Sequence, residues 1–324
     1  MSKHTISGIH HITAIASDPQ RNLNFYTQVL GLRLVKLTVN FDDPGTYHFY
    51  FGNRQGSPGS ILTFFPWPGI PRGTAGNGEV SSTAFAIRPE ALAFWRSHLV
   101  DNGVVTEDAG LRFGDPILRF SDPDGMSLEL IGTPGATPEE AWSHSSIPHP
   151  HAICGFHSAT LAEEGYEQTG ALLQSMGLHL IGNEDNRFRY AVGSSNPAAI
   201  VDIACSPGLK PGRLGAGTVH HIAWRTPDDP QQRLWRDALV QSGHSVTPIM
   251  DRAYFHSIYF REPGGVLFEI ATDPPGFATD EPVEHLGERL MLPQFLEAQR
   301  SAIEQSLPSL VLPPAAIPPK ENSR

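Results

Sequence analysis

Residues 8–13 read Gly-Ile-His-His-Ile-Thr, and residues 218–223 read Thr-Val-His-His-Ile-Ala. The two stretches are versions of one pattern, and the pattern is half of a longer repeat. Strand-like runs at Ile9–Ala14, Thr83–Ile87, Phe156–Leu161 and Val219–Trp224 each precede a helical segment, at Asp18–Leu30, Pro89–Asn102, Glu163–Met176 and Pro227–Ser242. Every helical segment ends at a glycine, Gly31, Gly103, Gly177 and Gly243, about 70 residues apart. Glycine suits the left-handed backbone just past a helix end. Asp18-Pro19 reads as an N-cap followed by proline at the first helical position. Leu23, Tyr26 and Leu30 then share one helical face. About three further strand-like runs follow each helix. The last of them is clearest at Asp122–Ile131 and Glu262–Ala271, where a tight turn leads into a strand carrying Glu129 or Glu269. The unit is βαβββ, present four times. The expected fold is α+β, with the modules paired into cup-shaped mixed β-sheets, helices outside, and a C-terminal helix.

The chain of 324 residues divides as 1–135 for the first module pair, 136–151 for a linker and 152–275 for the second pair. The stretch Pro134–His151, rich in Pro, Ser and His, marks the join. Residues 276–312 form a C-terminal extension, in which Leu292–Gln305 reads as an amphipathic helix with Leu292, Phe295, Leu296 and Ile303 on its apolar face. The Pro-rich then charged tail, 313–324, is expected to be disordered. No apolar run approaches the roughly 20 residues that span a bilayer, and the N-terminus lacks the apolar core of a signal peptide. Two cysteines make no disulfide framework. A cytoplasmic protein is expected. A net charge of −11 argues against a nucleic-acid partner.

Comparison of the repeats isolates a candidate metal site. The first strand carries His11 in module one and His221 in module four; module three has Ser158 there, and an approximate alignment puts Ala84 there in module two. The closing strand carries Glu269 in module four, Glu129 in module two, Thr63 or Phe64 in module one, and Asp202 or a neighbour in module three. Only modules one and four together supply a credible set, His11, His221 and Glu269. They are therefore expected to share one cup, and modules two and three to form a vestigial, structural one. Two histidines and one carboxylate with open positions suit non-haem Fe(II), with Mn(II) left as an alternative. A fourth carboxylate would favour Zn or Ni acting as Lewis acid. Glu129 reads as structural, and the linker histidines His144, His149 and His151 as a solvated loop.

These residues, with Tyr47–Gly52, Pro58-Gly59 and Phe65-Pro66, resemble the vicinal-oxygen-chelate superfamily. Within it they are similar to the hydroquinone ring-cleaving dioxygenases of the chlorohydroquinone and methylhydroquinone type, over roughly residues 5–310. The resemblance implies Fe(II) on His11, His221 and Glu269, and supporting roles for His10, Thr13, His220, Arg252 and Tyr259. It implies a small aromatic substrate and O₂ as partners. Arg252 would face anionic charge, and His220, Tyr259 or His10 would move protons. Strand alternation puts Thr13 on the face of His11 but sends His10 and His220 to the opposite face unless the strand bulges. Phe255, Phe260 and Trp224 are candidates to line the pocket, with core packing as the alternative. A catechol extradiol enzyme, a glyoxalase-like redox-neutral metalloenzyme and an aromatic-binding resistance protein stay open as rivals. Paired-module folds often dimerise, so a homo-oligomer is left open too.

Overall fold

The computed structural model describes residues 6–193 and 199–313, so the tail from residue 314 lies outside the described residues. Module one consists of β1 (Ile9–Ala16), α1 (Pro19–Asn24), β2 (Arg33–Asn40), β3 (Asp43–Gly52) and β4 (Ile61–Pro66). Module two is β5 (Glu79–Ile87), α2 (Leu92–Asp101), β6 (Thr106–Arg112), β7 (Asp115–Ser121) and β8 (Ser127–Gly132). Module three is β9 (Phe156–Glu163), α3 (Glu167–Ser175), β10 (His179–Glu184), β11 (Arg187–Ala191) and β12 (Ile200–Cys205). Module four is β13 (Thr218–Thr226), α4 (Asp229–Gln241), β14 (Met250–Asp251), β15 (Phe255–Arg261) and β16 (Leu267–Pro275).

The modules pair across the chain, not along it. One eight-stranded sheet runs β14-β15-β16-β13-β1-β4-β3-β2, and the other β10-β11-β12-β9-β5-β8-β7-β6. Each sheet thus takes one module from each half of the sequence. Within a module the first strand lies parallel to the last, and the two first strands meet antiparallel at the centre. All of β1 and β9 is buried, as expected of strands covered on both faces.

The four expected glycines have positive φ, from 71° at Gly31 to 96° at Gly177. Asp18 caps α1 by accepting from the Arg21 backbone N–H at 2.8 Å, and Asp228 caps α4 on Gln231 at 2.9 Å. Leu23, Tyr26 and Leu30 are buried, with the Tyr26 ring 4.6 Å from Phe64.

Several boundaries differ from the sequence expectation. The first helix is α-helical only to Asn24 and widens into a π-turn over Phe25–Val29, where Thr27 bonds the Leu23 carbonyl. The third begins at Glu167, because the ladder with β12 holds Glu163 in β9 opposite Cys205. The C-terminal helix is short: a 3₁₀ turn at Glu297–Gln299 leads into α5 (Arg300–Ser306). Before it, the Pro293 carbonyl accepts from the Leu296 N–H in a turn, and Met291 donates to the Leu37 carbonyl of β2. Leu292, Leu296 and Ile303 are buried as expected, whereas Phe295 is exposed, with its ring edge-to-face against Phe41. The extension crosses the first sheet, where fully buried Lys36 pairs with Asp280 and Glu281. No helix among the described residues is long and apolar enough to cross a membrane.

Candidate metal centre

The site lies inside the first sheet, at its central strand pair. Two β-bulges build it. The β1–β13 ladder pairs Ile9 with Trp224 but His11 with Ala223, so His10 is the extra residue; at the other end Thr13 pairs with His221 and Ala14 with Val219, so His220 is extra. An extra residue breaks the alternation of sides. His10 and His220 therefore stand beside their neighbours instead of on the opposite face. His10 Nδ1 lies 2.9 Å from His11 Nδ1, and His220 Nδ1 lies 2.8 Å from His221 Nδ1. One ring nitrogen of each ligand candidate is held, and the Nε2 atoms are left facing each other at 3.4 Å.

Glu269 completes the group. It sits on β16 opposite Ala223, and its Oε2 lies 2.9 Å from His221 Nε2 and 3.3 Å from His11 Nε2. Its Oε1 accepts from the Ser257 hydroxyl. Oε2 is fully buried and makes no well-aligned hydrogen bond. Burial works to raise the Glu269 pKa, but His11 and His221 outweigh it and hold the carboxyl well below the usual range. Among the described residues this trio is the one set of three His, Cys, Asp or Glu groups with ligand atoms within 4.8 Å of one another. An orphaned carboxylate oxygen between two facing imidazole nitrogens fits a divalent metal with further positions open.

A cavity of about 330 Å³ opens in front of the trio, at the small end of the ~300–1,000 Å³ typical of small-molecule sites. Thr13, His220, Arg252 and Tyr259 line it, as does Phe255, whose ring centroid is 4.9 Å from that of His11. His10 does not reach it. Phe260 and Trp224 pack in the core. Arg252 Nε donates to the Tyr259 hydroxyl at 3.3 Å, and its Nη1 lies 3.1 Å from Asp42 on the β2–β3 hairpin. Burial, then the charge of Glu269, pushes the Tyr259 phenol up, so it stays protonated. Burial, then the neighbouring His221, lowers His220 to about 3, so its ring is neutral. A larger cavity of about 720 Å³ lies at the junction of the two sheets, but of the trio it touches only His221.

The register resolves the open positions of the repeat. Glu269 pairs with Ala223, Glu129 with Ala84, Asp202 with Thr160 and Thr63 with Thr13. Thr63, not Phe64, is therefore the fourth position of the first cup. Ser82, not Ala84, is the module-two counterpart of the histidines, since Ser82 pairs with Thr160 as His11 pairs with Ala223. The alignment slipped by two residues because module two has no histidine to anchor it. In the second cup Glu129 receives two bonds from Arg112, at 2.6 and 2.8 Å, and Asp202 receives two from Arg189, at 2.8 and 3.0 Å. Guanidinium groups there supply the positive charge that buried carboxylates need. In the linker, His151 stacks on Phe94 and His144 packs beside Trp142.

His48, Tyr50, Asp42 and Ser257 were not expected in the site. For the first two a signal existed: in Tyr47-His48-Phe49-Tyr50-Phe51 alternation puts His48 and Tyr50 on one face and three aromatics on the other.

Residues 8–130 and 150–270 match the model of the glyoxalase/bleomycin resistance protein/dioxygenase superfamily. The chain belongs to that superfamily. It is 48% identical over 308 residues to Bacillus subtilis MhqO, a protein named provisionally as a ring-cleaving dioxygenase, covering 95% of this chain and 97% of that one. It is 34% identical over 313 residues to the chlorohydroquinone/hydroquinone 1,2-dioxygenase of Sphingobium indicum, covering 93% and 96%. The crystal structure of a Bacillus subtilis protein described as a dioxygenase superposes with a TM-score of 0.91 at 46% identity, covering 96% and 99%. The expected fold, superfamily and kinship with hydroquinone ring-cleaving dioxygenases agree with these matches, as does the expectation of an enzyme.

Proposed function

We propose that this protein is an Fe(II)-dependent ring-cleaving dioxygenase acting on hydroquinone-type aromatics beside a hydroxyl-bearing carbon. His11, His221 and Glu269 would hold the metal. The observation that carries the reading is their convergence on one buried point with Thr63, not a carboxylate, at the fourth position. That vacancy favours oxygen chemistry over the redox-neutral Zn or Ni alternative. Full-length similarity to the Sphingobium indicum enzyme supports the substrate class. When bound, the metal supplies a single centre at which a substrate oxygen and dioxygen are brought together.

The chain's own residues do the rest. The cavity admits a single aromatic ring, and Phe255 gives it an apolar wall. Arg252 is a fixed cation aimed at the pocket, placed to stabilise negative charge as it develops. Tyr259, a protonated phenol, donates a hydrogen bond to substrate oxygen. Neutral His220 lines the pocket; its Nδ1 accepts from His221 Nδ1–H, which leaves its Nε2–H to donate to a substrate oxygen. His10, outside the pocket, positions His11. The test is oxygen uptake by anaerobically Fe(II)-loaded protein given hydroquinone, methylhydroquinone, chlorohydroquinone or catechol. Uptake on the para-diols ahead of catechol is expected. Uptake on catechol alone would make it an extradiol enzyme, and none on any would end the dioxygenase reading.

A further inference from the structure

Arg252 and Phe255, the cation and the apolar wall of the metal cavity, stand at the two ends of one tight turn. The Tyr254 N–H donates to the Arg252 carbonyl at 2.8 Å, which closes a three-residue turn with Ala253 at its tip. Ala253 has φ 66°, a region that residues with a Cβ enter rarely. Three-residue turns of that hand are strained, and such strain persists only where the surroundings impose it. The surroundings here grip Tyr254, which is buried between the two functional residues. Its hydroxyl donates to Asp280 at 2.9 Å, its carbonyl accepts from the Gly276 N–H at 2.9 Å, and its ring centroid lies 5.2 Å from that of Phe277. All three partners belong to the C-terminal extension. Lys36 reaches the same point from β2: its ammonium pairs with Asp280 and Glu281 and lies 4.9 Å from the centre of the Tyr254 ring.

We propose that the C-terminal extension belongs to the active-site apparatus: Asp280, held by Lys36, grips Tyr254 and so keeps the Ala253 turn in the conformation that places Arg252 and Phe255 at the cavity. Lys36, Tyr254 and Asp280 are positioning residues, since none of them borders the cavity. Lys36 comes from module one, Tyr254 from module four and Asp280 from the extension, so the lock joins all three behind the site. Arg252 depends on it most. Its side chain meets the Tyr259 hydroxyl at 3.3 Å and exposed Asp42 at 3.1 Å, and neither contact fixes its backbone. A buried lysine among carboxylates adds little net stability over apolar packing, which suits a group kept for geometry. The proposal rests on the dioxygenase reading for its purpose, though not for its geometry.

The strain supplies the test. Glycine adopts positive φ without a Cβ penalty, so Ala253→Gly should hold the turn without the lock. In metal-free full-length protein carrying ¹⁵N-arginine, the Arg252 Nε–H resonance, assigned by its loss in Arg252→Lys, reports the bond to Tyr259. Tyr254→Phe, which removes one hydroxyl, should shift or broaden that resonance. Adding Ala253→Gly to Tyr254→Phe should restore it. Asp280→Ala breaks the same bond from its partly exposed end and should act as Tyr254→Phe does, so the test does not depend on one variant folding. A resonance unmoved in both variants overturns the proposal, as does a loss that Ala253→Gly leaves unrepaired, which would mark the hydroxyl as general packing. In the Fe(II)-loaded enzyme, Tyr254→Phe should lower kcat by about 10–100-fold with metal content unchanged, and the double variant should regain most of it. Wild-type kcat in Tyr254→Phe overturns the proposal as well. A wild type that consumes no oxygen would instead remove the dioxygenase reading, and the Arg252 resonance would still decide the positioning.

Discussion

Thr63 stands in module one where Glu269 stands in module four: each lies on the closing strand, beside the residue two places after His11 or His221. The two central strands are bulged alike, but the closing strands offer a hydroxyl in one module and a carboxylate in the other. Thr63→Glu places a carboxylate where the open side of the site would be. The variant should still bind a divalent metal, and its oxygen uptake should drop by about 10–100-fold, the range typical of disturbing a metal's surroundings. Metal analysis alongside oxygen uptake checks this; unchanged uptake would mean that position 63 does not face the open side.

The two bulged histidines should separate by role. They hold the His11 and His221 rings at Nδ1, so His10→Ala and His220→Ala should each weaken metal binding by about 10–100-fold, measured against a competing chelator under anaerobic conditions. At saturating Fe(II), His10→Ala should recover near-wild-type kcat, because His10 does not border the cavity. His220→Ala should not recover.

The second cup should be stability alone. Glu129 is buried against Arg112 and Arg119, and removing one member of a buried pair leaves an uncompensated charge. Glu129→Ala should destabilise the fold by about 3–5 kcal/mol, read by denaturant unfolding, with metal content unchanged. Loss of metal in a variant that remains folded would show that the second cup is not separate from the site.

Glu163 gives the fold a pH dependence. Burial, then the charge of Glu262, raises its carboxyl to about 8. From the ordinary carboxylate value up to about pH 8 the folded chain holds a proton that the unfolded chain has lost, so this group lowers stability as pH rises and stops doing so above that point. Glu163→Gln should flatten the slope and raise Tm at pH 9 on the order of 5 °C. Thermal melts of both proteins from pH 6 to 9 check it; parallel curves would mean that Glu163 is ionised throughout.

The modules and the candidate metal group were legible for the same reason. A glycine past a helix end and a histidine pair in a strand are local features, and comparing four copies shows which copies keep them. Pairing of module one with module four followed because only that pairing collects His11, His221 and Glu269. The bulges were not legible. They are properties of two strands in register, and nothing within Gly8–Thr13 marks His10 as the extra residue. Thr63 and Ser82 needed the same ladder information. Helix ends slipped where a tertiary ladder prevailed over local signals, as at Glu163, or where a turn took the place of the first helical turn, as at Pro293–Leu296.

The central claim is that His11, His221 and Glu269 hold one metal at which both atoms of dioxygen enter an aromatic ring. The most direct measurement is mass spectrometry of the product formed from hydroquinone under isotopically labelled dioxygen by Fe(II)-loaded wild type and by His221→Ala. Both labelled atoms should appear in a ring-opened product of the wild type, and none from the variant, which should fold but hold little metal. An intact ring, a single labelled atom, or full turnover by His221→Ala would contradict it.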